Sequence, residues 1–248
     1  MIAEWESFLT DKIEGFFNDK LAGDIEPAEL FRAVEKEIAK QKRAAKEDGV
    51  LPGAYFVFLG ENDYNRLSAG RIIDMAQLSA QKEIIRSDGF ARELKVMLRK
   101  DPSMKSGLRI EARTAEEEKK DNHTSDGEDA PEETIVLERL KYKNPLNLPA
   151  CHTIAALSVK EGVDEGSYLD FGEKKIYIGR RDRSDFIVTD DSVSRLHASV
   201  EYDMCRHLLR DEESANGTFV NGNRIDKIYL KDNDEIKIGN TVLRYEVL

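Results

Sequence analysis

Cysteine and long apolar runs are what this sequence of 248 residues most clearly lacks. Its two cysteines, Cys151 and Cys205, stand far apart and show neither metal nor redox spacing, which disfavours a disulfide-stapled secreted domain and favours a reducing compartment. Acidic residues are scattered through positions 1–20, and no uncharged apolar stretch is long enough to span a membrane, so we expect neither a signal peptide nor a membrane anchor. These absences predict a cytoplasmic protein that would reach a membrane only through a partner.

Histidine is scarce, and the acidic residues outnumber the basic ones, 49 to 38. The four histidines are His123, His152, His197 and His207. None has metal-ligand spacing, and the Cys-x-His at 205–207 lies in an alternating segment where packing explains it best. The formal net charge of -11 disfavours non-specific binding to nucleic acid, because the phosphates would be repelled. Since we also find no glycine-rich phosphate loop and no nucleophile elbow, we expect no cofactor, no bound metal and no catalysis.

An acidic segment divides the chain. Residues 115–133, AEEEKKDNHTSDGEDAPEE, contain no aromatic residue and almost no aliphatic one. Such a segment buries too little apolar surface to offset the entropy of ordering, so we expect a disordered linker, which Pro145 and Pro149 extend. The sequence therefore predicts a domain at 1–114, an acidic linker at 115–150 and a second domain at 151–248.

The first of these domains has mixed helical and strand patterns. Apolar residues recur at helical spacing from Trp5 to Leu21, and Glu26-Pro27 is typical of the start of a second helix. The run YFVFL at 55–59 predicts a buried strand, and a further helix is expected over about 63–86. Residues 91–100 and 107–113 are expected to form a strand pair. We predict an α+β domain.

The second domain has a different character. Short alternating segments such as KIYIG, HASVEY and VLRYEV recur there, separated by turn residues and without a helical pattern. Many short strands in this arrangement predict an all-β sandwich or barrel.

Four short motifs fall in the loops between these segments. They are Gly179-Arg180, Ser194-Arg195-Leu196-His197, Asn216-Gly217-Thr218 and Val220-Asn221-Gly222. Their order, spacing and flanking apolar pattern resemble the forkhead-associated (FHA) domain over about residues 152–248. The resemblance implies a β-sandwich whose loops bind phosphothreonine.

The residue types in these loops suit a phosphate. Phosphothreonine carries close to two negative charges and three strong acceptor oxygens. A guanidinium can bind two of those oxygens at once, so we expect Arg180 and Arg195 to converge on the phosphate from different loops. Ser194 can add a hydroxyl donor. The resemblance implies that Asn216 holds the backbone of the bound peptide beside the phosphothreonine.

The other motif residues are interpreted as structural. They are Gly179, His197, Gly217, Thr218, Asn221 and Gly222. The first two glycines permit tight or left-handed backbone, and Asn-Gly is typical of a hairpin turn. The resemblance implies that the histidine braces the loops from a buried position.

One position departs from the FHA pattern. Ala215 stands where many family members carry Thr or Ser, whose hydroxyl donates to the phosphate. Its absence removes a hydrogen bond to a charged group worth about 1.5–3 kcal/mol. Ala215 therefore leaves open an alternative to a phosphopeptide-binding adaptor, namely a structural scaffold with an FHA fold that does not bind phosphate. A third reading, independent of Ala215, is an enzyme with an unrecognised N-terminal activity.

Residues 1–112 resemble the N-terminal domain of actinobacterial FhaA-like proteins. The residues that carry this resemblance are DIEPAELFRAVEKEI, YFVFLGENDYNRL, Asp101-Pro102 and Gly107. The resemblance implies a substrate and partner of serine/threonine kinases that binds phosphothreonine-containing proteins, among them a membrane-associated protein of cell-wall synthesis. It implies no activity for the N-terminal domain itself.

Thr134 is a candidate phosphorylation site. It follows a run of acids at the boundary between the expected linker and an aliphatic stretch, and Glu-Glu-Thr-Ile-Val is similar to kinase sites of small bacterial FHA proteins. A phosphorylated Thr134 on so short a tether could occupy Arg180 and Arg195 and exclude other phosphopeptides. The alternative, that Thr134 simply begins an ordered strand, is equally open.

Overall fold

The computed structural model describes residues 25–45, 50–114 and 153–248. The helix expected from Trp5 to Leu21, the linker expected at 115–150 and Thr134 lie outside the described residues, so those expectations stay predictions. The described helices are α1 (Pro27–Ala44), α2 (Glu61–Leu67) and α3 (Gly70–Arg86). The described strands of the N-terminal region are β1 (Ala54–Leu59), β2 (Lys95–Lys100) and β3 (Leu108–Arg113). Those of the C-terminal region are β4 (Ala155–Glu161), β5 (Tyr168–Phe171), β6 (Ile176–Gly179), β7 (Phe186–Ile187), β8 (Ala198–Asp203), β9 (Arg206–Asp211), β10 (Thr218–Val220), β11 (Asn223–Ile225), β12 (Lys227–Tyr229), β13 (Glu235–Ile238) and β14 (Thr241–Val247).

The helices of the N-terminal region follow the sequence pattern, with one interruption. Helix α1 begins at Pro27, where a missing N–H does no harm, and the Glu29 carboxylate accepts a hydrogen bond of 3.0 Å from the Glu26 amide. The single helix expected over about 63–86 is two helices, because Ser68 and Ala69 separate α2 from α3. Ser68 and Gly70, on either side of Ala69, both have low helix propensity, which favours a break in the helix at this point. The buried stripe of α1 consists of Leu30, Val34 and Ile38.

Strand β1 occupies the centre of a three-stranded sheet with the order β2-β1-β3. We expected residues 91–100 and 107–113 to pair with each other, and this was wrong: β2 pairs with β1 in parallel, and β3 pairs with β1 antiparallel. The reason is burial, since β1 is buried at nearly every position while β2 and β3 are largely half-exposed. The most apolar strand takes the position that has a neighbour on both sides. The α+β character of this region is confirmed.

The C-terminal region is a sandwich of two sheets, as the alternating segments predicted. One sheet has six strands in the order β11-β10-β13-β14-β4-β5, and the other has five in the order β12-β9-β8-β6-β7. Inward-facing side chains of both sheets form one apolar cluster, with Leu157, Ile178, Leu209, Ile236 and Leu243 at its fully buried centre. Successive residues point to opposite faces of a strand, so the alternation visible in the sequence becomes one wet and one dry face.

A histidine lies inside this sandwich and makes its stability depend on pH. The His207 side chain is 1% exposed, its Nε2 lies 3.0 Å from the carbonyl oxygen of Gly172, and its Nδ1 lies 2.7 Å from the Tyr245 hydroxyl. A carbonyl can only accept, so Nε2 carries the proton and Nδ1 accepts from the tyrosine. Burial lowers the pKa of His207 to about 4.

We expect the free energy of unfolding to fall as pH falls from about 6.5 towards 4. In this window His207 binds a proton in the unfolded chain but stays neutral in the folded one, because its pKa is lower there. Protonation therefore favours unfolding, and the loss of stability from His207 is about 3 kcal/mol over the whole window. His197, whose pKa burial also lowers, adds to the slope in the same direction. Asp190 adds to it only near the lower end of the window, where the unfolded carboxyl begins to bind a proton and the folded one, with a pKa of about 2, does not. Urea unfolding at several pH values tests this, with His207→Gln as the comparison; an equally steep slope in that variant would contradict the assignment.

Candidate functional site

Three loops meet at one end of the sandwich. They follow β6, precede β8, and connect β9 to β10. Main-chain hydrogen bonds hold the first two loops together: the Arg180 amide donates to the Ser194 carbonyl at 3.0 Å, and the Arg181 amide donates to the Arg195 carbonyl at 3.1 Å. The structure thus brings the Gly-Arg and Ser-Arg-x-His motifs side by side.

The Arg180 guanidinium is anchored at one edge and open at the other. Its Nε donates to the Val193 carbonyl at 3.4 Å, and Nη1 lies 3.7 Å from a carboxylate oxygen of Asp191. The Arg180 side chain is 43% exposed and that of Asp191 is 99% exposed. An exposed carboxylate therefore lies beside a guanidinium that faces solvent, where an incoming anion would compete with it.

The Ser194 hydroxyl is positioned as a donor. Its Oγ accepts a hydrogen bond of 3.0 Å from the Ala215 amide, which leaves the hydroxyl hydrogen to point elsewhere. Arg195 follows directly and is exposed. The same bond ties the second loop to the third, so Arg180, Ser194 and the Ala215-Asn216 turn border a common surface.

His197 is fully buried between the second and third loops. Its Nδ1 accepts from the Ser194 amide at 3.0 Å, and its Nε2 lies 3.3 Å from the Gly217 carbonyl. Because Nδ1 accepts, Nε2 carries the hydrogen and donates to that carbonyl. Burial lowers the pKa of His197 below its usual value, so the ring is neutral at physiological pH. His197 therefore lies behind the loops, fixing their separation, and does not face the surface.

Asn216 is exposed beside the other site residues. Its side-chain Nδ2 donates to the Ser192 carbonyl at 2.7 Å, which connects the third loop to the second. This bond orients the amide group at the edge of the surface that Arg180 and Ser194 border.

The remaining motif residues have structural positions. Asn221 and Gly222 have φ angles of 50° and 80° and form the two-residue hairpin turn between β10 and β11, where both central residues must adopt positive φ. Gly217 has a φ of 78°, which favours glycine. The Thr218 hydroxyl donates to the Asp211 carboxylate at 2.6 Å.

Two carboxylates that shape the loops, the buried Asp190 and the half-buried Asp211, were not predicted from the sequence. Asp190 accepts from the amide and hydroxyl of Ser192 at 2.8 and 2.6 Å and from the Asn240 amide at 2.9 Å. The Ser192 hydroxyl and then these amides hold the pKa of Asp190 at about 2. Asp211 accepts similarly from the amide and hydroxyl of Ser214. The available signal was the spacing Asp-x-Ser and Asp-x-x-Ser, which is typical of side chains that bond the backbone locally.

Arg224 is a third arginine at the site, and it was not predicted from the sequence. A Cβ placed on Gly217 would lie 2.7 Å from its Nε, so the exposed Arg224 side chain crosses the Asn216-Gly217 turn. No motif marks this position. It follows from the pairing of β10 with β11, which sets Arg224 opposite Phe219.

Within 25–45, 50–114 and 153–248 there is no cluster of three or more His, Cys, Asp or Glu side chains suited to a metal ion. In the same ranges no helix is both long and apolar enough to cross a membrane. Cys205 and His207 are both buried by packing.

Comparison with known proteins finds two family models on this chain. The model of the FhaA N-terminal domain matches residues 2–111, and that of the FHA domain matches residues 176–239. The chain is 31% identical to the glycogen accumulation regulator GarA of Mycolicibacterium smegmatis over 126 residues, which cover 45% of this chain and 80% of that protein. It is 40% identical over 65 residues to the ABC transporter ATP-binding/permease protein Rv1747 of Mycobacterium tuberculosis, covering 26% of this chain and 8% of the transporter.

Two solved structures are similar to part of this chain. One is an FHA domain studied for phosphothreonine-dependent interactions, 30% identical, covering 39% of this chain and 98% of that one with a TM-score of 0.36. The other is the FhaA FHA domain complexed with the intracellular domain of Rv3910, 30% identical, covering 37% of this chain and 99% of that one with a TM-score of 0.35.

Proposed function

Because the chain belongs to the FHA-domain family and is of the FhaA-like type, we propose that it is a signalling adaptor that binds phosphothreonine peptides through Arg180, Ser194, Arg195 and Asn216. The observation that carries the proposal is the pair of main-chain bonds joining the Arg180 loop to the Ser194-Arg195 loop. These bonds fix two guanidinium-bearing positions and a hydroxyl donor before any ligand arrives. Preorganised charged donors lose less entropy on binding than flexible ones do.

The electrostatics of the surface favour a dianion. Arg180, Arg195 and Arg224 all lie at this end of the sandwich and are exposed. The chain as a whole carries a formal net charge of -11, and Asp191 lies beside Arg180, so these three arginines are the groups here that can attract an anion. A phosphate and a carboxylate can both accept bidentate hydrogen bonds from arginine, but a phosphate carries a charge of about -1.5 to -2 and a carboxylate only -1.

The partner class comes from the relatives. The FhaA FHA domain has been solved with the intracellular domain of Rv3910. We propose by analogy that the partner of this chain is a protein that contains phosphothreonine, which a serine/threonine kinase phosphorylates. A membrane-associated protein of cell-wall synthesis is one candidate for this partner. Another relative, GarA, is named for glycogen accumulation and not for cell-wall synthesis. The proposed site therefore identifies a phosphothreonine as the ligand but does not identify the pathway.

The decisive experiment is a calorimetric titration of the full chain. One phosphothreonine peptide is compared with the same peptide unphosphorylated and with its phosphoserine version. We expect binding of the phosphothreonine peptide, weaker binding of phosphoserine because one buried methyl is worth about 0.8 kcal/mol, and no binding of the unphosphorylated peptide. Absence of binding across a library of phosphothreonine peptides would support the alternative of a structural scaffold.

Ala215→Thr is expected to tighten phosphopeptide binding about tenfold or more. The Ala215 amide donates to the Ser194 hydroxyl, so a threonine hydroxyl at 215 would lie next to an existing donor and face the same exposed surface. A charge-assisted hydrogen bond contributes about 1.5–3 kcal/mol. The measurement is the dissociation constant of one phosphothreonine peptide. Ala215→Val, which adds the same bulk without a hydroxyl, should show no gain.

Asp191→Asn is expected to raise the affinity more modestly, by up to about fivefold. The Asp191 carboxylate lies 3.7 Å from the Arg180 guanidinium and competes with the phosphate for it. Exposed ion pairs contribute about 0.2–1 kcal/mol, which sets the size of the effect. The gain should shrink when salt is added, because salt screens the competing pair. A lower affinity in the variant would show that Asp191 positions Arg180 usefully.

A further inference from the structure

The N-terminal region contacts the sandwich at a site unrelated to the phosphopeptide loops. The contact is made by α3 and the turn that follows it, residues 87–91, on one side. On the other side lie the turn between β8 and β9, Tyr229 of β12, the loop residues Leu230 and Lys231 that follow it, and the end of β14. We call this contact the interdomain face.

Arg206 lies at the centre of the interdomain face. Its side chain is 1% exposed, and Nη1 pairs with the Asp88 carboxylate, while Nη2 donates to the Leu230 carbonyl at 2.7 Å. The guanidinium also lies over the rings of Phe90 and Tyr229, at 4.8 and 5.8 Å from their centroids. Two of these four partners, Asp88 and Phe90, come from the N-terminal region. Without them the guanidinium would lose its carboxylate and one of its two aromatic neighbours.

Asp88 reaches the sandwich through a second bond. The second oxygen of its carboxylate accepts a hydrogen bond of 2.7 Å from the Lys231 ammonium. Its main-chain carbonyl oxygen accepts another of 2.7 Å from the ammonium of Lys42 in α1. The φ angle of Asp88 is 55°, a left-handed conformation that Asp and Asn tolerate better than most residues. One residue therefore links α1, the turn after α3, strand β9 through Arg206 and the loop after β12 through Lys231.

Apolar packing is continuous across the interdomain face. Leu78 and Ile85 of α3 belong to the apolar cluster of the sandwich, and Cys205 belongs to the cluster of the N-terminal region. Phe90 and Tyr229 meet edge to face with centroids 4.9 Å apart, and the Ala91 amide donates to the Met204 carbonyl at 3.1 Å. Each core thus includes side chains of the other region, which a loose contact between tethered modules would not produce.

Two more polar contacts extend the face to its rim. Gln81 donates to the Glu173 carboxylate at 2.8 Å, and Arg86 donates to the Leu248 carbonyl at 3.1 Å. The second contact places the last strand of the sandwich against the end of α3.

The interdomain face and the phosphopeptide loops lie at opposite ends of the sandwich. Strand β8 begins at Ala198, next to His197, and ends before the Met204-Cys205 turn that contacts the N-terminal region. Strand β14 begins at Thr241, which donates to Asp190 in the loops, and ends beside Arg86. Strands of six and seven residues span about 20 Å at 3.3 Å per residue.

We propose that the interdomain face holds the N-terminal region and the sandwich together as one cooperative body, with the phosphopeptide loops directed away from the N-terminal region. The occupant of this end of the sandwich is the 87–91 turn and α3 of the same chain. If the proposed function holds, a phosphothreonine partner and any partner of the N-terminal region are carried at a fixed separation and orientation. The protein then acts as a rigid spacer between two bound molecules.

The test uses the full chain with a specific protease site replacing residues within 115–133. After cleavage, the two halves are analysed by size-exclusion chromatography under native conditions. We expect them to elute together at the position of the uncut protein, because the interdomain face holds them without the covalent link. Elution of the wild-type halves as two separate peaks would overturn the proposal.

A substitution identifies the contact responsible. Asp88→Asn keeps the left-handed backbone and the shape of the side chain but removes the charge facing Arg206 and Lys231. We expect the cut halves of this variant to separate at concentrations about tenfold or more higher than those of the wild type. The matched control is Asp170→Asn, which removes the same charge from an exposed position on β5 and should leave the halves together. Equal retention in both variants would overturn the central role of Asp88.

Phosphopeptide titration of the same uncut variants separates this proposal from the proposed function. We expect Asp88→Asn to bind a phosphothreonine peptide with unchanged affinity, because the loops lie at the far end. If the halves elute together but the protein binds no phosphopeptide, the proposed function is wrong and the proposal for the interdomain face is supported. If the halves elute separately but the protein binds the peptide, the proposal for the interdomain face is wrong and the proposed function is supported.

Discussion

Arg180→Ala is expected to remove detectable binding of phosphothreonine peptides while leaving the sandwich folded. The Arg180 guanidinium has one edge on the Val193 carbonyl and the other facing the surface that Ser194 borders. In the proposed complex the guanidinium forms a charge pair with the bound phosphate. Loss of one member of such a buried pair costs about 2–5 kcal/mol, which lowers the affinity by about 30-fold or more. The fold should survive, since an exposed arginine whose nearest partners are one carbonyl and one exposed carboxylate contributes little to stability. Calorimetric titration and a thermal melt of the same sample measure both effects.

The control for this variant is Arg183→Ala. Arg183 is exposed, lies three residues along the same loop and carries the same charge. If Arg180 acts through direct bonds to the phosphate, removing Arg183 should weaken binding only by the loss of long-range attraction, and added salt should cancel that loss. Equal effects of the two substitutions would show that only net charge matters, and unchanged affinity in Arg180→Ala would remove this residue from the site.

Gly179→Ala is expected to damage both stability and binding. A Cβ at this position would lie 2.6 Å from the Arg195 carbonyl oxygen and 3.0 Å from the Ser194 carbonyl oxygen. Both are main-chain atoms, so the second loop must move away from β6 to make room. That movement breaks the bond from the Arg180 amide to the Ser194 carbonyl, which holds the two phosphate-binding loops together. Overpacking of this kind costs about 1–3 kcal/mol of stability, and we expect at least a tenfold loss of affinity, about 1.4 kcal/mol, because both donors shift.

Gly70→Ala provides the matched control. Gly70 is the first residue of α3, and a Cβ there would meet nothing within 4 Å. Alanine is the better helix former by about 1 kcal/mol, so this variant should be as stable as the wild type or more so, and its affinity for phosphopeptide should not change. The two variants are compared by urea unfolding and calorimetry. Should Gly179→Ala behave like Gly70→Ala, the close approach of β6 to the second loop has no functional weight.

The domain organisation and the phosphorylation site stay predictions. The boundaries at 114 and 151, the disordered linker and Thr134 concern residues outside those that the structure describes, or depend on them. Self-binding of a phosphorylated Thr134 would require the loops to be open to the linker. The interdomain face, at the far end of the sandwich, leaves the loops accessible in that respect.

Local chemistry explains why much of the site could be predicted from the sequence. The Asn221-Gly222 pair is found with both φ angles positive, because few other dipeptides adopt that turn. Alternating apolar residues gave the strands of the sandwich, because a strand repeats every two residues. The Gly-Arg and Ser-Arg-x-His motifs marked loops that the structure joins by main-chain bonds. In each case the information lies within a few neighbouring residues.

The sequence by itself determined the fold class of both regions and the loops that carry the candidate site. Only the tertiary structure decided the pairing of β2 and β3 with β1, the approach of Asp191 to Arg180 and the position of Arg224 over Gly217. It also decided the burial of Arg206, whose carboxylate partner lies 118 residues away in sequence. The physical reason is that helix and strand periods and turn conformations are set by neighbours along the chain. Contacts between distant residues depend on which of many surfaces bury the most apolar area while keeping every buried charge paired.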